Sequence, residues 1–293
     1  MRPVLVVAAV LLLLCDSTRY VYAEVYATAA KVPPKRIVSL DYCADQYVLQ
    51  FTAAENILAL SPEAVQEFSY FRDRAQDFPS VRPIVEDVIS IKPDMVVRSY
   101  GGGYGIVEVL AQLDIPVVQI GYANTLAEVK QSVLSVSAAL GSAQMGEKIV
   151  ADMDMRLQQI SAEVRAAESS ALYMTPTGVT AGPGTLMHDV LLAAGFDNFE
   201  NKPGWRALPL ERLVYGGPDV VARAFYQSAY GHRDLWSAAA HPVTQRQLAK
   251  ARQVPLEGAW TSCGAWFLMD AVEALRHDLA NRTVVNAEEV GRE

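Results

Sequence analysis

Cysteine is scarce in this chain, with three in 293 residues: Cys15, Cys43 and Cys263. So few exclude a small fold held by a disulfide framework, although an oxidising compartment would still permit one bridge. Histidine is nearly as rare, and His188, His232, His241 and His277 show neither H-x-H nor H-E-x-x-H spacing. A closed zinc site is therefore not expected, and neither a metal ligand nor a cofactor is assigned. There is no G-x-S-x-G elbow and no recognisable nucleophile-histidine frame, so no catalytic residue is assigned and a non-enzymatic role is expected. A basic tract is missing too: 25 Lys and Arg face 33 Asp and Glu, for a formal charge of −8 at pH 7. That balance argues against nucleic acid or an anionic membrane surface as partner. No linker is rich in Gly and Ser, which predicts stiff coupling between any lobes.

The longest apolar run stands at the start, where Arg2 precedes Val4 to Leu14. It is too short to cross a bilayer and has the charged and apolar regions of a secretory signal. Val21-Tyr22-Ala23 supplies the small-residue cleavage pattern, so residues 1–23 are expected to be removed and the mature chain to be exported. It is not expected to be membrane-embedded. Cys15 would suit lipid attachment only poorly, because Leu14 stands where such signals carry a small residue.

What is present, twice, is a short pattern. Val85 to Val97 and Leu210 to Ala222 both read apolar, Glu, one or two apolar turns, Pro-Asp, then a short apolar run. Each predicts a short helix, a turn and a buried parallel strand. Two copies imply two similar lobes, and the roughly 270 mature residues exceed what one core comfortably serves.

In chain order, Arg36 to Leu40 predicts a strand, and Asp41 to Asp45 the turn opening a helix through Phe51. Ile57 to Leu60 predicts a second strand, followed by an aromatic loop with Phe68, Tyr70, Phe71, Arg72 and Arg74. Strand Met95 to Arg98 runs into Ser99-Tyr100-Gly101-Gly102-Gly103-Tyr104-Gly105. Such a turn could cradle phosphate with its N–H groups, yet it fits neither G-x-G-x-x-G nor a P-loop, and an aromatic binding loop is the better reading. Thr125 to Glu128 is a capping box opening an amphipathic helix that stops at Gly141. Gly146 to Ala167 then predicts a helix roughly 30 Å long, able to act as a strut between lobes. Beyond it come strand Ala171 to Met174, a loop over Thr175 to Gly184, helix Leu186 to Ala194, strands Val220 to Ala224 and Val254 to Leu256, and helix Gly264 to Ala280.

Arg36-Ile37-Val38-Ser39-Leu40, the paired Glu-x6-Pro-Asp, Leu113-Asp114-Ile115-Pro116-Val117-Val118 and Ala194-Gly195-Phe196-Asp197-Asn198-Phe199 together resemble the helix-linked (class III) periplasmic substrate-binding proteins. These serve ATP-driven (ABC) importers of vitamin B12, iron-siderophores and haem. The resemblance covers roughly Lys35 to Leu279. It implies an α/β fold of two Rossmann-like lobes joined by one long α-helix, with the ligand cleft between lobes and only slight closure. The expected boundaries are residues 1–23 for the signal peptide, 24–141 for the N-terminal lobe, 142–168 for the linker helix and 169–293 for the C-terminal lobe. Glu86 and Glu211 match the family's surface glutamates, which meet arginines on the membrane permease. One carboxylate at the same edge of each lobe would set the docking register. The plainer reading is that each merely caps or solvates its short helix.

The cleft turns of the family bind with aromatic and polar side chains, and here they hold Tyr42, Cys43, Tyr70, Tyr100, Tyr104, Thr177, Trp205, Trp260 and Cys263. Aromatic faces suit large planar ligands such as corrinoids or iron chelates. Tyr42-Cys43 replaces a proline of the vitamin B12 binder, which puts cobalamin itself in doubt, while Arg72, Arg98 and Arg206 could hold an anionic ferric chelate or simply be solvated. The expected role is a monomeric periplasmic receptor delivering an iron complex or corrinoid to an inner-membrane importer. An exported thiol- or metal-dependent enzyme and a bare metal-ion binder are the alternatives. For Cys43 and Cys263 three readings stay open: a bridge across the cleft, a pair of soft ligands, or two unrelated small residues.

Overall fold

A computed structural model of the chain describes residues 34–163, 169–225 and 237–277. The expected export signal, the end of the strut helix and the end of the terminal helix lie outside the described residues.

Four short strands, β1 (Ile37–Ser39), β2 (Ile57–Ala59), β3 (Met95–Arg98) and β4 (Val117–Gln119), form one all-parallel sheet in the order β2-β1-β3-β4. Helices α1 (Tyr42–Phe51), α2 (Arg72–Ala75), α3 (Val85–Ser90), α4 (Ile106–Gln112) and α5 (Leu126–Ala139) connect and cover them. The strands are apolar on both faces, as a parallel sheet clothed by helices requires. Ile37, Met95 and Val97 point into one apolar cluster, and Val38 and Val96 into another.

The second sheet repeats the plan. β5 (Ser170–Met174), β7 (Asp197–Asn198), β9 (Val220–Phe225) and β10 (Arg252–Glu257) run parallel in the order β10-β9-β5-β7. A separate antiparallel pair, β6 (Val179–Ala181) with β8 (Trp205–Ala207), stands beside it. Helices α7 (Leu186–Ala193), α8 (Leu210–Tyr215), α9 (Pro242–Leu248) and α10 (Gly258–Thr261) complete the lobe, and a last helix, α11, is described over 268–277.

Helix α6 (Ala143–Glu163) joins the two. The capping box is formed as expected, with the Thr125 hydroxyl accepting from Glu128 N–H at 3.1 Å, and Gly141 ends α5 at φ 78°. Gly146 does not mark the strut's start. It lies inside α6, where a side chain would collide with Ser137 of α5, so the glycine serves close helix packing. One apolar cluster passes from the first sheet through α1, α5, α6 and α7 to Ala171, Tyr173, Val220 and Val254 of the second. The lobes therefore share a core, which couples them stiffly.

The doubled Pro-Asp has the same task in both lobes. Asp94 accepts the N–H groups of Lys35 and Arg36 at 2.9 and 3.0 Å, fixing the start of β1 against β3. Asp219 accepts Ser170 N–H at 2.8 Å, fixing β5 against β9. Two further expectations fail in detail. The loop after β5 contains β6, whose three residues are too short to show a period. The terminal helix begins at 268 rather than Gly264, because 262–267 are bent around contacts with the first lobe.

Candidate functional site

The turns at the carboxyl ends of the parallel strands converge between the lobes, the position where open α/β sheets bind ligands. In the first lobe, two of these turns are tied by Asp41. It caps α1 by accepting Ala44 N–H at 3.0 Å, and reaches across to accept Ser99 N–H at 2.7 Å, Ser99 Oγ–H at 2.6 Å, Tyr100 N–H at 3.1 Å and Gly101 N–H at 2.9 Å. The glycine-rich turn therefore offers its first three amides, those of Ser99, Tyr100 and Gly101, to an internal carboxylate, so these donors are already taken. Behind it, fully buried Asp45 accepts Ser61 N–H at 3.0 Å and Ser61 Oγ–H at 2.6 Å, and burial pushes its carboxyl up to about 7.

Tyr42 follows Asp41 and lies edge-on to Tyr100 at 5.7 Å and to Phe68 at 4.8 Å. Burial, then the neighbouring Tyr42 hydroxyl, pushes the Tyr100 phenol up, so it stays protonated. Tyr100 is half exposed, and Tyr104 projects fully into solvent without a ring partner among the described residues.

The cysteines are joined. Cys43, in the first turn of α1, is disulfide-bonded to Cys263, beyond α10, with their Cα atoms 5.5 Å apart. Of the three readings this is the bridge, and the soft-ligand and unrelated-residue readings fall. Around it the 262–267 segment is fastened to the first lobe. Tyr42 Oη–H donates to Ser262 O at 3.3 Å, Tyr47 Oη–H to Gly264 O at 2.9 Å and Ser262 Oγ–H to Phe68 O at 2.7 Å. Trp266 packs against Tyr47, Phe51 and Phe71.

Tyr70 belongs to the same junction. Its ring stacks on Phe267 at 4.3 Å and its hydroxyl donates to Asp270 at 2.9 Å; burial first, then that bond, pushes its phenol up to about 12. Asp270 also accepts from Arg156 of α6 at 2.8 Å, and Arg156 reaches Glu273 at 2.6 Å. Trp260 is half-buried against the shared core.

On the opposite wall, Trp205 lies edge-on to buried Tyr173 at 5.8 Å and donates its indole N–H to Tyr122 Oη of the first lobe at 3.1 Å. Tyr122, largely exposed after β4, escaped the sequence reading; a Gly-Tyr pair after a strand carries no signal of its own. Thr177 is exposed in the β5–β6 turn, 3.0 Å from the Thr175 hydroxyl. The structure thus gathers Tyr42, Cys43, Tyr100 and Cys263, joins Trp205 to Tyr122, and leaves Tyr104 and Thr177 exposed at the rims, Thr177 paired among the described residues only with its neighbour Thr175.

The three arginines are partly engaged. Arg72 donates to Glu67 O at 3.5 Å, Arg98 to Tyr100 O at 3.1 Å, and Arg206 lies 3.8 Å from the Glu200 carboxylate. Glu86 and Glu211 are exposed in the first turns of α3 and α8, and neither joins an ion pair or side-chain hydrogen bond among the described residues. No helix among the described residues is long and apolar enough to cross a membrane.

Comparisons with known proteins agree with this geometry. The chain is 23% identical over 225 residues, 71% of its length and 69% of the relative's, to YvrC of Bacillus subtilis (strain 168), an uncharacterised ABC transporter substrate-binding lipoprotein. A periplasmic haem-binding protein from Pseudomonas aeruginosa has the same fold, with TM-score 0.65, 20% identity and coverage of 83% of this chain and 91% of that one. The periplasmic vitamin B12 binding protein BtuF of Vibrio cholerae gives TM-score 0.61 at 20% identity, covering 84% and 96%. Residues 37–224 match the periplasmic binding protein family, and the chain belongs to that family.

Proposed function

We propose that this protein, as the substrate-binding protein of an ABC transporter, captures an iron complex or a corrinoid between its lobes and delivers it to the permease of an inner-membrane importer. The observation that carries the reading is the aromatic lining of both walls, all of it substantially exposed: Tyr100, Tyr104 and Tyr122 in the turns beyond the carboxyl ends of β3 and β4, and Trp205 at the start of β8 on the other side. Large planar ligands are held by such faces, with hydroxyls and the indole N–H giving orientation. Haem-binding and vitamin B12-binding proteins share the fold and support the ligand class without choosing within it. Tyr42, Cys43, Tyr70, Thr177, Trp260 and Cys263 complete the proposed site, the disulfide and Tyr70 as parts of its floor and frame.

Glu86 and Glu211 are the proposed docking pair. Each lobe carries the Glu and the Asp of its motif. The Asp holds the sheet while the Glu is left exposed, as docking onto two arginine clusters requires. Export after cleavage of residues 1–23, a monomeric state and the absence of enzymatic turnover belong to the same proposal. A thiol-dependent enzyme loses its support, because both cysteine sulfurs are bonded to each other. Bare metal-ion capture has no cluster of His, Cys, Asp or Glu to rest on among the described residues.

The test is titration of the purified mature protein with ferric protoporphyrin IX, a ferric tris-catecholate and cyanocobalamin, followed by absorbance and tryptophan fluorescence. Saturable one-to-one binding of one of the three is expected, and binding of none would overturn the ligand class. Uptake of that ligand should then fall in the Glu86→Ala/Glu211→Ala protein with its affinity unchanged.

A further inference from the structure

A glycine-rich turn between strand and helix ordinarily leaves several N–H groups pointing into a shared concavity that attracts an anion. Here the chain supplies the anion itself. One Asp41 oxygen accepts the successive N–H groups of Ser99, Tyr100 and Gly101, while the other accepts Ser99 Oγ–H and caps α1. The side chain has no exposed surface. The turn is built around it: a side chain at Gly101 would collide with the Leu40 carbonyl, and Gly102 stands at φ 95°, packed against Ile106 and Leu40. Beyond these residues the turn carries Tyr100 and Tyr104 outward, with Tyr100 edge-on to Tyr42 from the neighbouring turn.

We infer that Asp41 is the positioning residue of the cleft: a resident anion that closes the amide nest at 99–101 and thereby fixes the Tyr100 wall before any ligand arrives. This rests on the proposed ligand-binding reading of the cleft. Two consequences follow from the chemistry. The amides of Ser99, Tyr100 and Gly101 are no longer donors for a phosphate or carboxylate group of a ligand, so this part of the first lobe recognises by ring faces and phenol groups. The wall is also preorganised, so binding does not bear the cost of ordering it.

The test compares wild type with Asp41→Asn, which keeps the shape but turns an amide NH2 toward N–H donors, and with Ser99→Ala, which removes only the hydroxyl bond. In ligand-free protein, the amide hydrogens of Ser99, Tyr100 and Gly101 should exchange roughly tenfold to a hundredfold faster in Asp41→Asn, while the core strands stay protected. Ser99→Ala should shift them in the same direction by less. Asp41→Ala should recover protection at those three amides on addition of formate, in a saturable way, since a small carboxylate can re-enter the nest. Whichever of ferric protoporphyrin IX, the ferric tris-catecholate or cyanocobalamin binds wild type should bind Asp41→Asn at least about tenfold more weakly, and formate should restore affinity to Asp41→Ala. Unchanged exchange at 99–101 in Asp41→Asn overturns the inference, and so does lost protection with probe affinity held within about twofold. If no probe binds wild type, the proposed ligand class fails instead, and the exchange and formate measurements still decide whether Asp41 fixes the turn. Should Asp41→Asn fail to fold, Ser99→Ala carries both comparisons.

Discussion

Trp205 of the second lobe donates its indole N–H to the Tyr122 hydroxyl of the first lobe at 3.1 Å, so one polar contact between two exposed rings spans the cleft. Trp205 is itself steadied by the edge of buried Tyr173. A ring fixed from behind and exposed in front is the usual form of a binding anchor, since little entropy is lost when a ligand covers it. Trp205→Ala should weaken binding of the titrating ligand by tenfold or more. Tyr122→Phe, which keeps the ring and removes only the hydroxyl, should weaken it by about threefold. Isothermal calorimetry checks both, and equal, negligible losses would remove this pair from the site.

The disulfide between Cys43 and Cys263 closes a loop with a sequence separation of 220. It also joins a cleft turn of the first lobe to the segment that follows the last strand of the second. Constraining so long a loop in the unfolded chain should contribute up to about 5 kcal/mol to stability. The Cys43→Ser/Cys263→Ser protein should therefore unfold at a lower urea concentration, and dithiothreitol should bring wild type to the same midpoint. Measurable binding should survive the double substitution, because Tyr42, Tyr47 and Ser262 still fasten the segment to the first lobe. A midpoint unmoved by both treatments would show that the bridge is thermodynamically idle.

Much of this was legible in the chain, and the parts that were not share a physical cause. The doubled Glu-x6-Pro-Asp identified two lobes because it combines a helical period, a turn and an apolar strand within a dozen residues. The strut helix was readable for the same reason. Asp41 reads in sequence only as part of the turn that opens a helix, since the N–H groups that give it a second role come from residues 58 to 60 positions away. Tyr122 and the β6–β8 pair left no trace in any local window. The cysteine pairing stayed open because composition alone carries no distance. Periodicity reports which elements exist; the turns between them, where this site lies, are set by partners far off in sequence.

Asp45 makes a prediction about pH. Its carboxyl has no exposed surface, and Ser61 N–H and Oγ–H at 3.0 and 2.6 Å do not offset the loss of water, so its pKa rises from 3.8 to about 7. In the unfolded chain the same group titrates in the ordinary carboxylate range. Between those values the folded protein holds a proton that the unfolded chain has released, so stability falls as pH rises from about 4 to about 7. Below that window the contribution is fully present; above it the ionised, buried carboxylate costs about 4 kcal/mol relative to the protonated form. Asp45→Asn cannot ionise and keeps an acceptor for Ser61 N–H. Urea unfolding at intervals from pH 4.5 to 8 should show wild type losing stability relative to Asp45→Asn across the window, with the variant the more stable of the two at pH 8. Parallel profiles for the two proteins would mean that Asp45 is ionised throughout and that water or a cation reaches it.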